Sequence, residues 1–240
     1  MPELDTQFIQ RAMKITSFNL KPSDFTDLRY KKEIQHLFHT YFFPKFDVNQ
    51  TLDSVDQSRL NTLINKLKAE DRDMFSKLHN YNLKGVGPGE ATLYFLLNYA
   101  HLGGGSSAGV DLVDRSGKYE VKAVKVSGGV ASDFKLGGTV PLSEIMTDLN
   151  NLRERLKLAG SKTEISGRLT DEMRTKAPKE FKLIEERYAK LAYEYFKGHK
   201  VIFINNGNNL GYIEAIKEVK ERDITIERVT SGTVKPRVKL

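Results

Sequence analysis

The chain has 240 residues, a formal net charge of +7, 39% hydrophobic and 10% aromatic residues, and no cysteine, which is enough apolar material for a sizeable core and excludes disulfides and thiolate metal sites. No apolar run approaches the ~20 residues of a membrane span, and the opening Met1-Pro2-Glu3-Leu4-Asp5 has neither the basic nor the apolar region of a secretory signal, so a cytoplasmic protein with no membrane partner is expected. The positive balance favours polyanionic partners, nucleic acid first.

Residues 1–80 read as a helical N-terminal extension. Phe8 to Phe18 mixes apolar and basic positions. Ser23 and Asp24 are candidate caps for a helix through Leu28, Ile34, Leu37 and Phe38, ended by Pro44. The aromatic run Tyr41-Phe42-Phe43-Pro44-Lys45-Phe46 offers rings to stack bases, but core packing is the stronger expectation. Leu60, Leu63, Ile64 and Leu67 mark a further helix, with Asp53 or Ser54 near its start. His36 and His39 lie three apart on a predicted helix, and without a third ligand they read as a packed or surface pair.

Gly85-Val86-Gly87-Pro88-Gly89 is a sharp break before an apolar helix over Glu90–Ala100. It lacks the lysine and hydroxyl of a P-loop and reads as a turn that lets the backbone pass close to something. Gly103-Gly104-Gly105-Ser106-Ser107 leads into a strand, Gly109–Val113, joined by the turn Asp114–Gly117 to a second strand, Lys118–Val124. Ser127-Gly128-Gly129 and Gly137-Gly138 bracket Phe134-Lys135-Leu136 as a mobile loop or tight hairpin. Helices are predicted over Leu142–Leu158 and Phe181–Phe196, the second following Pro178, with basic residues between them. Val201–Ile204 is a short buried strand ended by Asn205–Asn209. Tyr212–Val219 is strand or helix, Ile224–Val229 alternates as a strand, and Thr233–Leu240 is extended and basic.

The two central strands carry the chemistry. Side chains alternate faces along a strand, so Glu120 and Lys122 share one face with Val121 on the other, and the hairpin brings Asp111 beside them. Two carboxylates and an ammonium converging there make a Mg²⁺ site with its own water activator. Glu-x-Lys alone says little, because it also occurs at Glu180-Phe181-Lys182 and Glu218-Val219-Lys220. The first copy differs in its setting. It has a strand aspartate nine residues upstream and a helix glutamate, Glu90, before that. Val110, Leu112, Val113, Val121, Ala123 and Val124 make both strands apolar on both faces, which suggests a central position where charges must be paired or bind metal.

This order of Glu90, Asp111 and Glu120-Val121-Lys122, followed by a helix and the strand Val201–Ile204, resembles the PD-(D/E)XK nuclease superfamily. The resemblance spans about residues 85–206, with Gly109-Val110 where the family often has a proline before the aspartate. It implies a mixed α/β (α+β) fold: a restriction-endonuclease-like core sheet flanked by helices over residues 81–240, with a helical insert near 142–196. It also implies a Mg²⁺-dependent DNA endonuclease, with Mn²⁺ as an alternative cofactor. Asp111, Glu120 and the Val121 carbonyl would hold the metal, Lys122 would orient the attacking water or stabilise the developing charge, and Glu90 would hold a second metal or a water. Lys125, Ser127 and Lys135 would contact DNA phosphates. One such site per chain cuts both strands only as a homodimer or by two sequential nicks. The alternative is a non-catalytic nucleic-acid-binding or structural assembly protein on the same fold.

Overall fold

The computed structural model describes residues 6–103, 110–137 and 142–240. The start of the predicted strand at Gly109, the Gly104–Ser107 part of the glycine turn, and Gly138 lie outside the described residues. The architecture is mixed α/β. The described helices are α1 (Thr6–Thr16), α2 (Lys31–Phe42), α3 (Gln57–Glu70), α4 (Arg72–His79), α5 (Glu90–Leu96), α6 (Ser143–Arg155), α7 (Gly167–Lys176) and α8 (Pro178–Phe196). The strands are β1 (His101–Leu102), β2 (Leu112–Asp114), β3 (Gly117–Ser127), β4 (Val130–Ser132), β5 (Lys200–Asn205), β6 (Ile213–Lys217), β7 (Ile224–Thr230) and β8 (Thr233–Lys239). No described helix is long and apolar enough to cross a membrane.

The chain forms two compact units, one of residues up to Ala123 with Ile202–Ile216, the other of Val124–Val201 with Lys217–Leu240. In the first, β1, β2 and the first part of β3 form an antiparallel meander, and β5 pairs with β3 and β6. Its core joins helix faces to this sheet through Phe25, Phe38, Leu60, Phe95, Val121 and Ile204, all buried. The rings of Phe38 and Phe95 stack at 3.7 Å, and burying each such ring contributes about 2–3 kcal/mol. Phe43 and Phe46 from the aromatic run are also core, while Tyr41 stays exposed.

The helix boundaries differ from expectation for local reasons. Pro22–Phe25 is a 3₁₀ turn in which Asp24 accepts from the Lys21 amide, and α2 begins only after Tyr30 turns the chain through φ 49°. Asp56, not Asp53 or Ser54, caps α3 by accepting from the Arg59 amide. Helix α5 stops at Leu96 because Leu97 is extended and bridges to Leu52. The Leu52 amide donates to the Leu96 carbonyl, and the Asn98 amide donates to the Leu52 carbonyl.

In the second unit, the latter part of β3 pairs with β4, β4 with β8 and β8 with β7, all antiparallel. Gly128 and Gly129, at φ 56° and 73°, form the two-residue turn between Ser127 and Val130, a conformation that favours glycine at both places. Thus the predicted glycine-rich stretch begins as a tight hairpin. Helix α8 starts at Pro178, where a proline in the first turn loses no hydrogen bond. Helix α7, which no sequence signal had marked, is capped by Ser166 accepting from the Leu169 amide. Tyr212–Val219 resolves as strand β6 over Ile213–Lys217.

Two imidazoles in the first unit are buried neutral. His39 Nε2 donates to the Phe95 carbonyl at 3.1 Å, and His79 Nε2 meets the Asn206 side-chain oxygen at 3.2 Å. Burial holds both pKa values down to about 4. The unfolded chain takes up these protons near pH ~6.5. Their contribution is therefore complete above that pH and is lost as pH falls towards the folded values. We expect the fall in denaturant midpoint from pH 7 to pH 5 to be smaller in His79→Gln than in wild type, and equal slopes would refute the assignment.

Candidate active site

The β2–β3 hairpin is built from its turn. Leu112 pairs with Tyr119 and Asp114 with Gly117, leaving Arg115-Ser116 as the loop. Asp114 closes it: one carboxylate oxygen accepts from the Ser116 amide at 2.7 Å and the Gly117 amide at 3.0 Å. Continuing that register one step places Asp111 opposite Glu120. The Asp111 amide donates to the Tyr119 carbonyl at 3.0 Å, and its Oδ2 accepts from the Val121 amide at 2.9 Å. The aspartate side chain thus takes a β3 backbone donor at the point where the regular ladder ends.

Four predicted residues are brought together. Asp111 stands opposite Glu120, whose carboxyl is buried and ion-paired with Lys122. Glu90, 5% exposed, opens α5 and accepts the Gly87 amide at 2.9 Å. Burial, then the charge of Asp111, push the Glu90 pKa up to about 9 against the Gly87 amide and Lys122, with Glu120 adding to the rise. Burial, then the Glu120 charge, raise Asp111 to about 6 against Lys122 and the Val121 amide. These mutual effects put Glu90, Asp111, Glu120 and Lys122 in one electrostatic field. Among the described residues, no three side chains of His, Cys, Asp or Glu are grouped so as to hold a metal ion.

The predicted phosphate contacts lie in the second unit. Ser127 and Lys135 are exposed. Lys125 is exposed but pairs with Asp133 at 2.9 Å. Asp133 also binds Lys235 at 2.7 Å and is ion-paired with Arg228. Burial raises its pKa, but hydrogen bonds from Lys235 and Lys125 and the charge of Arg228 outweigh it and hold it at about 2. In the basic stretch between the predicted helices, Arg155 pairs with Glu180, Arg174 with Asp171 and Glu185, and Lys176 with Glu172. The other Glu-x-Lys copies sit at the surface. Glu180 and Lys182 each pair elsewhere, and Glu218 pairs with Lys220.

Three supporting groups escaped the sequence reading. Gly87 holds the Glu90 carboxyl by its amide, and a Cβ there would lie 2.8 Å from Glu90 Oε1. Gly103 donates to the Asp111 carbonyl at 2.8 Å, and a Cβ there would lie 1.9 Å from the Val110 carbonyl oxygen. The His79 carbonyl accepts from Gly89, which caps α5 at φ 86°. The signal available was the glycines themselves, already read as places of close backbone approach.

No protein-family model, curated protein or solved structure gave a match to this chain.

The raised Glu90 pKa has a definite stability sign. Between the unfolded pKa of ~4.3 and its folded value, the fold retains a proton that the unfolded chain has lost, so stability declines as pH rises through that interval. Glu90→Gln in metal-free buffer should gain stability over wild type progressively from pH 5 to pH 9, and a pH-independent difference would count against the cluster. Gly103→Ala should lower stability by about 2 kcal/mol or more, because the new methyl overlaps the backbone next to Asp111. Urea denaturation measures it, and an unchanged midpoint would show that the strand yields freely.

Proposed function

We propose that this protein is a Mg²⁺- or Mn²⁺-dependent DNA endonuclease of the PD-(D/E)XK type, with a restriction-endonuclease-like sheet as its core. The observation that carries the reading is the convergence of Glu90, Asp111, Glu120 and Lys122 in one buried cluster. Surface charges scattered on an exposed hairpin would not perturb one another in this way.

The donor set fits a hard divalent cation. Burying several carboxyls together raises their pKa values, which is the unfavourable state that a bound cation relieves. The ligands would be Asp111, Glu120 and the Val121 carbonyl, so two side chains and one backbone oxygen suffice without a cage of three. When bound, Mg²⁺ supplies Lewis acidity and charge neutralisation at a phosphodiester.

The chain's own residues do the rest. The Val121 amide fixes the Asp111 carboxylate in orientation. Lys122, on the same strand face as Glu120, keeps an ammonium beside the carboxylates, where it orients an attacking water or offsets charge developing on the phosphate. Glu90 adds a further carboxyl beside Asp111 and Glu120, where it would hold a second metal or a metal-bound water. Lys125, Ser127 and Lys135 would add phosphate contacts in the second unit. Such contacts give affinity without sequence choice and weaken with salt. Lys125 would have to exchange Asp133 for the phosphate. Cleavage of both strands would need a homodimer or two sequential nicks.

The test is incubation of supercoiled plasmid with Mg²⁺ or Mn²⁺. Wild type should nick it, while Asp111→Ala and Lys122→Ala should fall by about 10²-fold or more, as for loss of a charge-stabilising group. Intact plasmid under every metal tried would leave the non-catalytic nucleic-acid-binding alternative, and equal cutting by all three proteins would mark a contaminant.

A further inference from the structure

A second charged feature of the first unit lies outside the carboxylate cluster. A groove of about 660 Å³ runs between α3, α4 and the loop after β5, lined in part by Asn65, Lys68, Arg72, Ser76, Asn208 and Asn209. We propose that this groove is a phosphate-binding site, with Lys68 and Arg72 as its cationic ligands and the neighbouring amide and hydroxyl groups as its neutral donors.

The argument starts from Lys68. It is half-buried, and its ammonium donates to Asn209 Oδ1 at 3.3 Å. It lies 5.5 Å from the Phe75 ring and has no carboxylate within ion-pair distance among the described residues. Three other shielded lysines each have a carboxylate, whereas the buried Lys31 is held by the Ala100 carbonyl and the Tyr94 ring. Lys122 has Glu120, Lys217 has Asp223 at 2.9 Å and Lys235 has Asp133 at 2.7 Å. Lys68 has Arg72 nearby instead, a like charge that adds to burial in lowering its pKa. Two cations facing one groove are stabilised by an anion that enters it. Asp73 also lines the groove and leaves it with a modest positive excess.

The loop that walls the groove is held in shape. Asn205 Oδ1 accepts the Gly207 amide at 2.7 Å, and its carbonyl accepts the Gly211 amide at 2.7 Å. The Tyr212 amide donates to the Asn209 carbonyl at 3.0 Å, and Asn206 is fastened to His79. A groove with preset walls loses little entropy on filling. Helix α4 carries Arg72 and Ser76 into the groove and ends at His79, whose carbonyl holds the Gly89 amide just before Glu90. One short helix therefore connects the groove to the carboxylate cluster.

That the phosphate belongs to nucleic acid rests on the nuclease reading, whereas anion binding itself does not. The test uses the full chain and two probes, inorganic phosphate at constant ionic strength and a 5′-phosphorylated single-stranded oligonucleotide. Binding is followed by calorimetry and by the shift in melting temperature. Both probes should bind wild type, and K68Q/R72Q, which replaces two partly exposed charges by neutral polar groups, should weaken both by about tenfold or more. Lys68→Arg should retain binding of both probes. Equal loss of both probes is the supporting result, and loss of oligonucleotide binding alone would overturn the groove as a site for free phosphate. Unchanged affinity in K68Q/R72Q, or no binding of either probe to wild type, would overturn the proposal. Phosphate binding that follows Lys68 and Arg72 in a protein that cuts no DNA would overturn the nuclease reading alone.

Discussion

Burial of charge on β3 is the constraint around which the first unit is organised. Glu120 is 1% exposed on a strand that pairs with β2 on one side and β5 on another. A carboxylate in that position costs several kcal/mol unless it is compensated. Lys122 compensates it along the strand, and Asp111 adds a second carboxyl beside it across the hairpin. Glu90 brings a third from α5. Simple packing offers no reason to bury acids that raise one another's pKa values. A hydrophobic residue at any of these positions would spare the fold the desolvation. The cluster is therefore a local cost to stability.

The surroundings are arranged to hold that cluster. Asp111 is fixed at both ends, with its side chain on the Val121 amide and its carbonyl on the Gly103 amide. Glu90 is held by Gly87, and Gly89 starts the helix in a left-handed conformation that glycine adopts without strain. Phe95, Leu112, Tyr119 and Ile204, on the same elements, are all buried in the core. Asp133 in the second unit illustrates the opposite regime. There a single carboxylate meets three cations and its acidity rises. That is a structural ion-pair network, whereas the carboxyls of the hairpin face chiefly one another.

The hairpin itself was legible in the sequence because every signal for it is local. Asp114, Ser116 and Gly117 write the turn, alternation writes the two faces, and antiparallel pairing then aligns Asp111 with Glu120. Strands β5 and β7 and helix α8 were legible for the same reason, since each carries its own pattern and punctuation. Helix α5 was read too long because Glu90–Ala100 is mostly apolar and its end is set by the pairing of Leu97 with Leu52, about 45 residues earlier. Helix α7 was missed because its ten residues are mostly polar and few of them are buried.

By itself the sequence determined the chemical identity of the candidate site: which acids, which lysine, on which strand face, and that the composition is that of a chain with a core. Those follow from spacing and side-chain alternation, which need no distant partner. Only the tertiary structure decided that Glu90 joins the cluster, that Gly87 and Gly103 support it, that Lys125 is engaged by Asp133, and that Lys68 and Arg72 face one groove. Each of these depends on segments far apart in the chain coming together, and on the loss of water that gives their charges strength over those distances.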